Sequence, residues 1–282
     1  MESPKKPFLK WAGAKTQLVK KLRPLFPEGD YRFIEPFVGS GVVFLNTQYR
    51  SSLLSDSNQD IISLYSVLKR KPREFIQRCR ELFIAENNFE EQFYKLRAEF
   101  NSCDNIERRA SIFVYLNRHC FNGLCRYNQK GKFNTPFGRY EHVPFPKDKM
   151  EIFAEKLESA ELQKADFRVV LSKAGDGDVV YCDPPYVPLT ATASFTNYAA
   201  GGFSGEDQED LRKLALEASE RGAVVILSNH DTPVTRKLYR QAQVTEVMVS
   251  RTISCDGRNR NKVKEIIAVF GKSERSKFQL SL

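Results

Sequence analysis

The segment Asp-Pro-Pro-Tyr at residues 183–186 holds the side chains with the clearest chemical use, and it directly follows an apolar run at residues 179–182. A proline fixes its own φ angle and favours an extended conformation in the residue before it, so Asp183 and Pro184 are both held stretched. The Asp183 carboxylate and the Pro184 carbonyl can then face one amino group as acceptors. Tyr186 adds an aromatic face on which a flipped base can stack.

This pair of acceptors predicts group transfer to the exocyclic amine of a base. Such an amine is a poor nucleophile because its lone pair is delocalised into the ring, and hydrogen bonds to both acceptors favour a localised lone pair. A cofactor that carries an activated methyl group makes a metal and a covalent nucleophile unnecessary, because the protein then supplies positioning and electrostatics. A rigid loop after a buried strand is the alternative explanation for the two prolines alone.

A glycine-rich turn, Glu-Pro-Phe-Val-Gly-Ser-Gly at residues 35–41, follows another short apolar run. Gly39 and Gly41 let a backbone approach a ligand closely. Asp56 ends the next apolar run, near the offset of about 20 residues at which an acid reaches ribose hydroxyls in nucleotide-binding folds. The two features together predict a cradle for a nucleoside-type cofactor. Each alone has a structural explanation, since glycine turns are common and an Asp after a strand often caps a helix.

Alternating strands and helices are needed to position these segments. The apolar runs that predict strands are residues 32–34, 53–55, 167–170, 179–182 and 224–227, with a final hairpin of 244–249 and 265–270. Helical signals follow the glycine turn at 42–45 and then cover 61–69, 88–100 and 106–118. A further helix starts at Ser204, which forms a capping box with Asp207, and Gly222 ends that helix. This order predicts a doubly wound, mostly parallel α/β sheet. Asn58, with Ser57, is the expected cap of helix 61–69.

The middle third of the chain interrupts the alternation. Residues 58–144 show helical periodicity and loops without a convincing strand, and the stretch 118–141 mixes aromatic, Asn, Gly and basic residues with one acid, Glu141. This composition is typical of a contact surface. We therefore expect a catalytic domain formed by residues 1–57 and 145–282, with residues 58–144 as an inserted recognition domain.

The charge balance favours a nucleic-acid partner. Lys and Arg outnumber Asp and Glu by 44 to 35, for a formal net charge of +9, and a surface of that sign attracts polyanions. No run of about 20 apolar residues predicts a membrane span, and the N-terminus lacks the apolar stretch of a signal peptide. We expect a cytoplasmic protein.

The six cysteines form no Cys-x-x-Cys pair, and the chain has three histidines. We interpret the cysteines as reduced thiols and expect no metal site. A zinc site on Cys120 and Cys125 would need His119 or His142 as further ligands, and buried small hydrophobic residues are the better explanation.

Several blocks of the sequence carry a resemblance to a known family. They are Phe-Leu-Lys-Trp-Ala-Gly-Ala-Lys at 8–15, the turn at 35–41, Leu-Asn-Arg at 116–118 with Phe-Asn-Gly-Leu-Cys-Arg-Tyr-Asn at 121–128, and the segment 183–186. With these blocks in order, the chain resembles the Dam group of DNA adenine methyltransferases, which modify the adenine of GATC. The resemblance implies a Rossmann-like methyltransferase sheet, S-adenosylmethionine as donor, double-stranded DNA as substrate, a helical target-recognition insert, and a monomer.

The resemblance also implies roles for individual residues. The catalytic set is Asp183, Pro184 and Tyr186. The cofactor-binding set is Trp11, Lys15, Phe37, Gly39, Gly41, Asp56 and Asp183. The DNA-binding set is Lys10, Phe121, Asn122, Leu124, Arg126, Pro136 and Arg139. Arg126 has the forked donors that engage guanine in the major groove. Phe121 departs from the family, in which Tyr is expected: it keeps the ring and loses a hydroxyl.

Two alternatives stay open from the sequence. A cytosine amino-methyltransferase uses the same amine chemistry with a similar tetrapeptide, and a DNA-binding regulator could keep the fold without activity. An RNA or protein methyltransferase has no support from the insert. His230, in Asn-His-Asp at 229–231, borders the same region, and we expect it to anchor a loop and not to act as a general base. The basic run at 69–73 is typical of a solvated helix end that adds non-specific attraction to phosphates.

Overall fold

The computed structural model describes residues 3–11, 13, 15–187, 203–250 and 262–271. Contacts divide the chain into two compact units. The helical unit comprises Met1–Thr16, Gly39–Asn46 and Asn58–Lys164. The sheet unit comprises Gln17–Val38, Thr47–Ser57 and Ala165–Leu282.

The described residues include seven strands. They are β1 (Arg32–Glu35), β2 (Ser51–Asp56), β3 (Ala160–Lys164), β4 (Asp178–Cys182), β5 (Val224–His230), β6 (Gln243–Ser250) and β7 (Lys262–Phe270). All but β3 belong to the sheet unit, where their order is β2-β1-β4-β5-β7-β6. The first four of these are parallel, and β7 and β6 are antiparallel additions at one edge. The mostly parallel sheet and the final hairpin predicted from the sequence are therefore confirmed.

Both faces of this sheet are covered. The helices of the sheet unit are α1 (Val19–Leu22), α7 (Phe167–Leu171), α8 (Gly205–Glu220) and α9 (Pro233–Leu238). On one face, alternate residues such as Val180 and Leu227 join an apolar cluster with Leu171 of α7 and Leu211 of α8. On the other face, Phe26 packs edge-on against the rings of Phe33 and Tyr181. Burial on both faces explains why these parallel strands read as continuous apolar runs.

Helix α8 begins where the sequence predicts. The Ser204 hydroxyl accepts from the Asp207 backbone N–H at 3.1 Å, and the Asp207 carboxylate accepts from the Ser204 N–H at 2.6 Å. This reciprocal pair satisfies two donors that have no partner within the helix. The helix ends at Glu220, two residues before Gly222.

The helical unit is built from longer helices. They are α2 (Gln59–Arg70), α3 (Pro72–Arg80), α4 (Glu90–Phe100), α5 (Ile106–His119) and α6 (Lys147–Leu157). The Asn58 side chain accepts from the Asp60 N–H at 2.9 Å, so the predicted cap of α2 is confirmed. Strand β3 also lies in this unit, where it contacts α2 and α6. The helices predicted at 61–69, 88–100 and 106–118 are all present within a few residues.

Two local predictions were wrong. Residues 167–170, predicted as a strand, form helix α7, because the Asp166 carboxylate accepts from the Arg168 N–H and starts a helix there. Phe167, Val170 and Leu171 are buried at helical spacing while Val169 is exposed.

The helix predicted to follow the glycine turn is also absent. Residues 42–45 form turns and a 3₁₀ helix at Phe44–Asn46. Val42, Val43, Phe44 and Leu45 are all buried, so this segment has no solvent face of the kind that an amphipathic helix presents.

Several predictions fall outside the described residues. The sequence predicts a flexible loop at 187–203, of which only Val187 and Phe203 are described, a basic loop within the final hairpin, whose residues 251–261 are not described, and a frayed tail at 272–282. The helical unit contains all of residues 58–144 together with neighbouring segments, and the functional division into a catalytic domain and an insert stays a prediction. Among the described residues, no helix has the length and apolar character needed to cross a membrane.

Candidate active site

Asp183 directly follows β4, at the carboxyl end of the parallel strands. Its Oδ1 accepts a hydrogen bond from the Ser228 hydroxyl at 3.0 Å, and the Ser228 oxygen lies 2.9 Å from the Tyr181 hydroxyl. The Tyr181 and Ser228 side chains are fully buried. Two buried hydroxyl groups, those of Ser228 and Tyr181, therefore form a hydrogen-bonded chain that ends on the carboxylate.

The backbone after Asp183 is tied to α8 and β5. The Pro185 carbonyl accepts from Gln208 Nε2 at 2.9 Å, and the Val187 N–H donates to Asn229 Oδ1 at 3.1 Å. His230 Nδ1 donates to the Val187 carbonyl at 2.8 Å, which confirms that His230 anchors this loop. Asn229 Nδ2 in turn donates to Gln208 Oε1 at 3.2 Å. These bonds fix the loop on both sides of Tyr186.

Tyr186 contacts two elements of the sheet. Its hydroxyl donates to Glu265 Oε2 on β7 at 3.0 Å, and its ring meets the His230 ring edge-on with centroids 4.8 Å apart. Burial raises the pKa of Tyr186 well above its usual range, and the nearby Asp183 charge acts in the same direction. The phenol therefore stays protonated and acts as a donor.

The remaining predicted residues of the sheet unit lie near the same strand ends. Asp56 is the last residue of β2, and its carbonyl accepts from the Ala165 N–H at 3.3 Å. Phe37, two residues beyond β1, stacks on Phe167 with centroids 5.4 Å apart and meets Phe203 edge-on. Parallel strands end at one edge of a sheet, so the fold brings Asp56 and Asp183 to the edge at which such sheets bind ligands.

In the helical unit, Trp11 packs closely against the glycine turn. A Cβ at Gly39 would lie 2.7 Å from Trp11 Nε1, and Gly39 has a φ of +44° that disfavours other residues. The Gly39 carbonyl accepts from the Tyr65 hydroxyl at 2.6 Å, and Lys15 is buried. The fold thus brings together Trp11 and Gly39 of the predicted cofactor set and leaves no room for a side chain between them.

Most of the predicted DNA-binding residues lie on one loop, which we call the recognition hairpin (residues 120–139). Isolated antiparallel bridges join Cys120 to Phe137 and Tyr127 to Phe133, so the loop doubles back on itself. The Asp60 carboxylate at the start of α2 accepts from the Tyr127 hydroxyl at 2.6 Å. The Tyr127 side chain therefore fastens the hairpin to helix α2.

Several of the predicted DNA-binding side chains on the recognition hairpin are exposed. Phe121 is 47% exposed, and Arg126, Pro136 and Arg139 are also exposed. The Arg126 guanidinium donates to the side-chain and backbone oxygens of Asn134 at 2.8 and 3.2 Å. Asn122, at the tight turn after Phe121, has a left-handed φ of +53°, and Leu124 is half-buried.

Lys10 packs beside this hairpin within the helical unit. Its backbone and the Asn117 side chain exchange two hydrogen bonds at 2.8 and 2.7 Å, and its ammonium lies 4.1 Å from the centre of the Tyr140 ring. Burial lowers the pKa of Lys10, and the charge of Arg118 adds to the effect. The Tyr140 hydroxyl also accepts a hydrogen bond from the Asn122 N–H at the hairpin turn, at 3.0 Å.

Sequence reasoning missed several of these residues. Ser228 is the first polar residue after the apolar run 224–227, and Glu265 directly precedes the apolar residues 266–270, positions that could have marked them. Tyr140 lies within the aromatic and basic stretch at 118–141 but had no distinguishing feature. Nothing in the sequence indicated Gln208, because it reaches the loop from a helix.

The chain is similar in sequence to known DNA methyltransferases. The sequence profile of the D12 class N6 adenine-specific DNA methyltransferases matches residues 11–253. A DNA adenine methylase of Serratia marcescens is 49% identical over 93% of this chain and 97% of its own length. DNA adenine methylases of Vibrio cholerae and Escherichia coli K12 are 47% and 46% identical, over 93% of this chain and 95% and 94% of their own lengths.

Among solved structures, an rRNA methyltransferase from Streptomyces viridochromogenes matches with a TM-score of 0.39 and 11% identity, over 95% of this chain and 87% of that one. A likeness this distant carries no argument about function.

Proposed function

Because the chain belongs to the D12 class of N6 adenine-specific DNA methyltransferases, we propose that it methylates the exocyclic amine of adenine within GATC in double-stranded DNA. The observation that carries this proposal is the segment 183–186, in which Ser228 donates to the Asp183 carboxylate while Gln208 and Asn229 hold the backbone at Pro185 and Val187. The DNA adenine methylases of three bacteria align with 93% of this chain at 46–49% identity, which supports the same activity here.

The residues of the catalytic set have complementary roles in this proposal. The Asp183 carboxylate and the Pro184 carbonyl accept the two N–H groups of the adenine amine, which directs the nitrogen lone pair away from the ring. The Tyr186 ring stacks on the flipped base. When bound, S-adenosylmethionine supplies a methyl group activated by a sulfonium. A nitrogen–carbon bond forms as the carbon–sulfur bond breaks, and the amine proton leaves to solvent.

The residues at the glycine turn fit a nucleoside-type cofactor. A side chain does not fit at Gly39, because Trp11 lies against it. Asp56 is the last residue of β2, the next strand along the chain. We propose that Trp11, Lys15, Phe37, Gly39, Gly41, Asp56 and Asp183 hold S-adenosylmethionine.

A glycine pair tests the cofactor proposal. Gly39→Ala should displace the Trp11 ring and weaken S-adenosylmethionine binding by ~1–3 kcal/mol, measured by calorimetry without DNA. Gly131→Ala is the matched control, since Gly131 also has a positive φ but no atom lies within 4 Å of its added Cβ. Equal affinities of the two variants would place the cofactor elsewhere.

For DNA, we propose that residues 58–144 form the target-recognition domain and that the protein acts as a monomer. The exposed hairpin residues support this proposal, because Phe121 offers a ring for the gap left by a flipped base and Arg126 offers a fork for guanine. Lys10, Asn122, Leu124, Pro136 and Arg139 complete the proposed DNA-binding set.

A digestion assay tests the substrate directly. Unmethylated plasmid is incubated with the protein and S-adenosylmethionine, and then cut by three nucleases that recognise GATC and differ only in sensitivity to adenine methylation. We expect protection from the methylation-blocked nuclease and cutting by the methylation-dependent one. Mass spectrometry of the nucleosides distinguishes the cytosine alternative. Methylcytosine in place of methyladenine, or no methylation at all, would contradict the proposal.

A further inference from the structure

Ser228 lies beside Asp183 because of strand register. Tyr181 pairs with Ile226 and Cys182 pairs with Leu227, so the next residues along β4 and β5 are Asp183 and Ser228. Side chains alternate between the two faces of a sheet, and Asp183 therefore shares a face with Tyr181.

The hydrogen bonds of this group have one possible direction when Asp183 is ionised. An ionised carboxylate has only acceptors, so the Ser228 hydroxyl must donate to it. The Ser228 oxygen then accepts from the Tyr181 hydroxyl. Burial, with the nearby Asp183 charge, raises the pKa of Tyr181 well above its usual range, so Tyr181 keeps the proton that it donates.

We propose that Ser228 is a positioning residue for methyl transfer: its buried hydroxyl, oriented by Tyr181, holds the Asp183 carboxylate ionised and in one plane so that it can accept from the adenine amine. This inference rests on the proposed role of Asp183. A charge-assisted hydrogen bond favours the ionised form of a carboxyl group, and only that form can accept from the amine with either oxygen.

Other buried acids lie close to this cluster. The other titratable groups around it are Glu35, Tyr186, Cys182, His230 and Glu265. Glu35 and Glu265 are buried acids within electrostatic reach of Tyr181, as Asp183 is. Like charges disfavour ionisation of a neighbouring carboxyl group. A hydrogen bond donated to a carboxylate acts in the opposite direction, and Ser228 supplies one to Asp183.

Removing the hydroxyl should affect turnover and not binding. In Ser228→Ala, we expect kcat to fall roughly 10- to 100-fold, as for loss of a hydrogen bond to a charged group, with KM for DNA and for S-adenosylmethionine unchanged. The acidic limb of the kcat–pH profile should move upward by about one pH unit, because a carboxylate that loses a donor is protonated more easily. Ser228→Thr, which restores a hydroxyl, should recover most of the rate.

A double-mutant cycle tests the chain of bonds. Tyr181→Phe alone should lower kcat by a smaller factor, because Tyr181 acts through Ser228. In the Ser228→Ala background, Tyr181→Phe should lower kcat no further. Additive losses would show that Tyr181 does not act through Ser228 and would overturn the proposal that Tyr181 orients the Ser228 hydroxyl.

Ser52→Ala is the matched control. Ser52 is a buried serine in β2 of the same sheet, and within the described residues its hydroxyl has no hydrogen-bond partner. We expect its kcat and pH profile to match those of the parent. Thermal unfolding confirms that every variant is folded, and Asp183→Ala in the same assay tests the catalytic role of Asp183 separately. Inactive Asp183→Ala together with an unchanged rate and pH profile in Ser228→Ala would overturn the positioning role alone. Failure of a folded Ser228→Thr to restore the rate would overturn it as well.

Discussion

The loop after β4 and the recognition hairpin differ in whether their functional side chains are held in place. Around Asp183, both the backbone and the side chains are fixed, because Ser228, Gln208 and Asn229 are buried and bonded to the loop. In the recognition hairpin, the backbone is fastened, through the Cys120 and Phe137 bridge, while the side chains that the proposal assigns to DNA are exposed.

The difference follows from what each region has to contact. Catalysis by hydrogen bonding requires acceptors that are oriented before the substrate arrives, because reorganisation during the reaction costs free energy. Reading DNA requires side chains that reach into a groove or a base stack outside the protein. Substitutions at the first region should therefore affect the rate, and those at the second should affect base flipping and discrimination.

The largest effect is expected at Asp183. Asp183→Ala should abolish methyl transfer, while DNA affinity stays within a few-fold of the parent, because the carboxylate acts on the amine and not on phosphates. Tritium transfer from labelled S-adenosylmethionine and DNA binding by fluorescence anisotropy measure the two properties. Asp30→Ala, at an exposed position in the same unit, is the control. Substantial residual turnover would refute the catalytic role, and Asp183→Asn is the milder probe.

Phe121 should give the next largest effect. Phe121→Ala should slow methylation and lower the fluorescence of 2-aminopurine at the target adenine, because base–aromatic stacking recovers ~1–3 kcal/mol of the cost of flipping. Phe121→Tyr should change the rate only slightly, since stacking needs no hydroxyl.

Phe89→Ala is the matched control for this substitution, because Phe89 is a 64% exposed ring outside the recognition hairpin. If Phe121→Ala flipped the base as well as the parent, Phe121 would be a packing residue, and Asn122 or Leu124 would become the candidates for the gap.

Arg126 should affect discrimination more than affinity. Arg126→Ala should lose ~1–3 kcal/mol of preference at one guanine, because a forked donor reads the two acceptors of that base. Lys130→Ala, an exposed cation on the same hairpin, should weaken binding evenly across sequences. Competition with singly substituted GATC duplexes measures both. Equal loss for GATC and unrelated DNA in Arg126→Ala would assign Arg126 to phosphate. The sequence predicts the same uniform loss when Lys262 or Arg258 is neutralised, and their side chains lie outside the described residues.

A further effect is expected on stability, at the base of the recognition hairpin. Burial lowers the pKa of His119 from its ordinary 6.5 to about 4, and the His119 carbonyl accepts from the Gly138 N–H. The unfolded chain therefore binds a proton below pH 6.5 that the folded chain excludes. The resulting stability is present above pH 6.5 and is lost as the pH falls towards 4, by at most about 1.4 kcal/mol per unit.

Urea unfolding followed by the fluorescence of the single tryptophan, Trp11, measures this dependence. The free energy of unfolding of His119→Gln should fall less steeply over the same pH range. Parallel slopes for the two proteins would show that His119 is not the titrating group.

Much of the fold was predictable because its signals are local. The Asn58 cap and the Ser204 capping box involve residues two or three apart in sequence, and both formed as expected. Where a local signal was ambiguous, prediction failed. The apolar residues 167–170 suit a strand or a buried helix equally, and the Asp166 cap decided in favour of a helix.

The sequence by itself determined the reactive segment 183–186, the glycine turn and the family, because proline torsions, glycine and ordered motifs act over a few residues. Only the tertiary structure decided which groups support them. Ser228 lies 45 residues from Asp183 in the chain, and Glu265 lies 79 residues from Tyr186. Such pairs depend on strand order and register, which are set by burial of the whole sheet and not by any short stretch of residues.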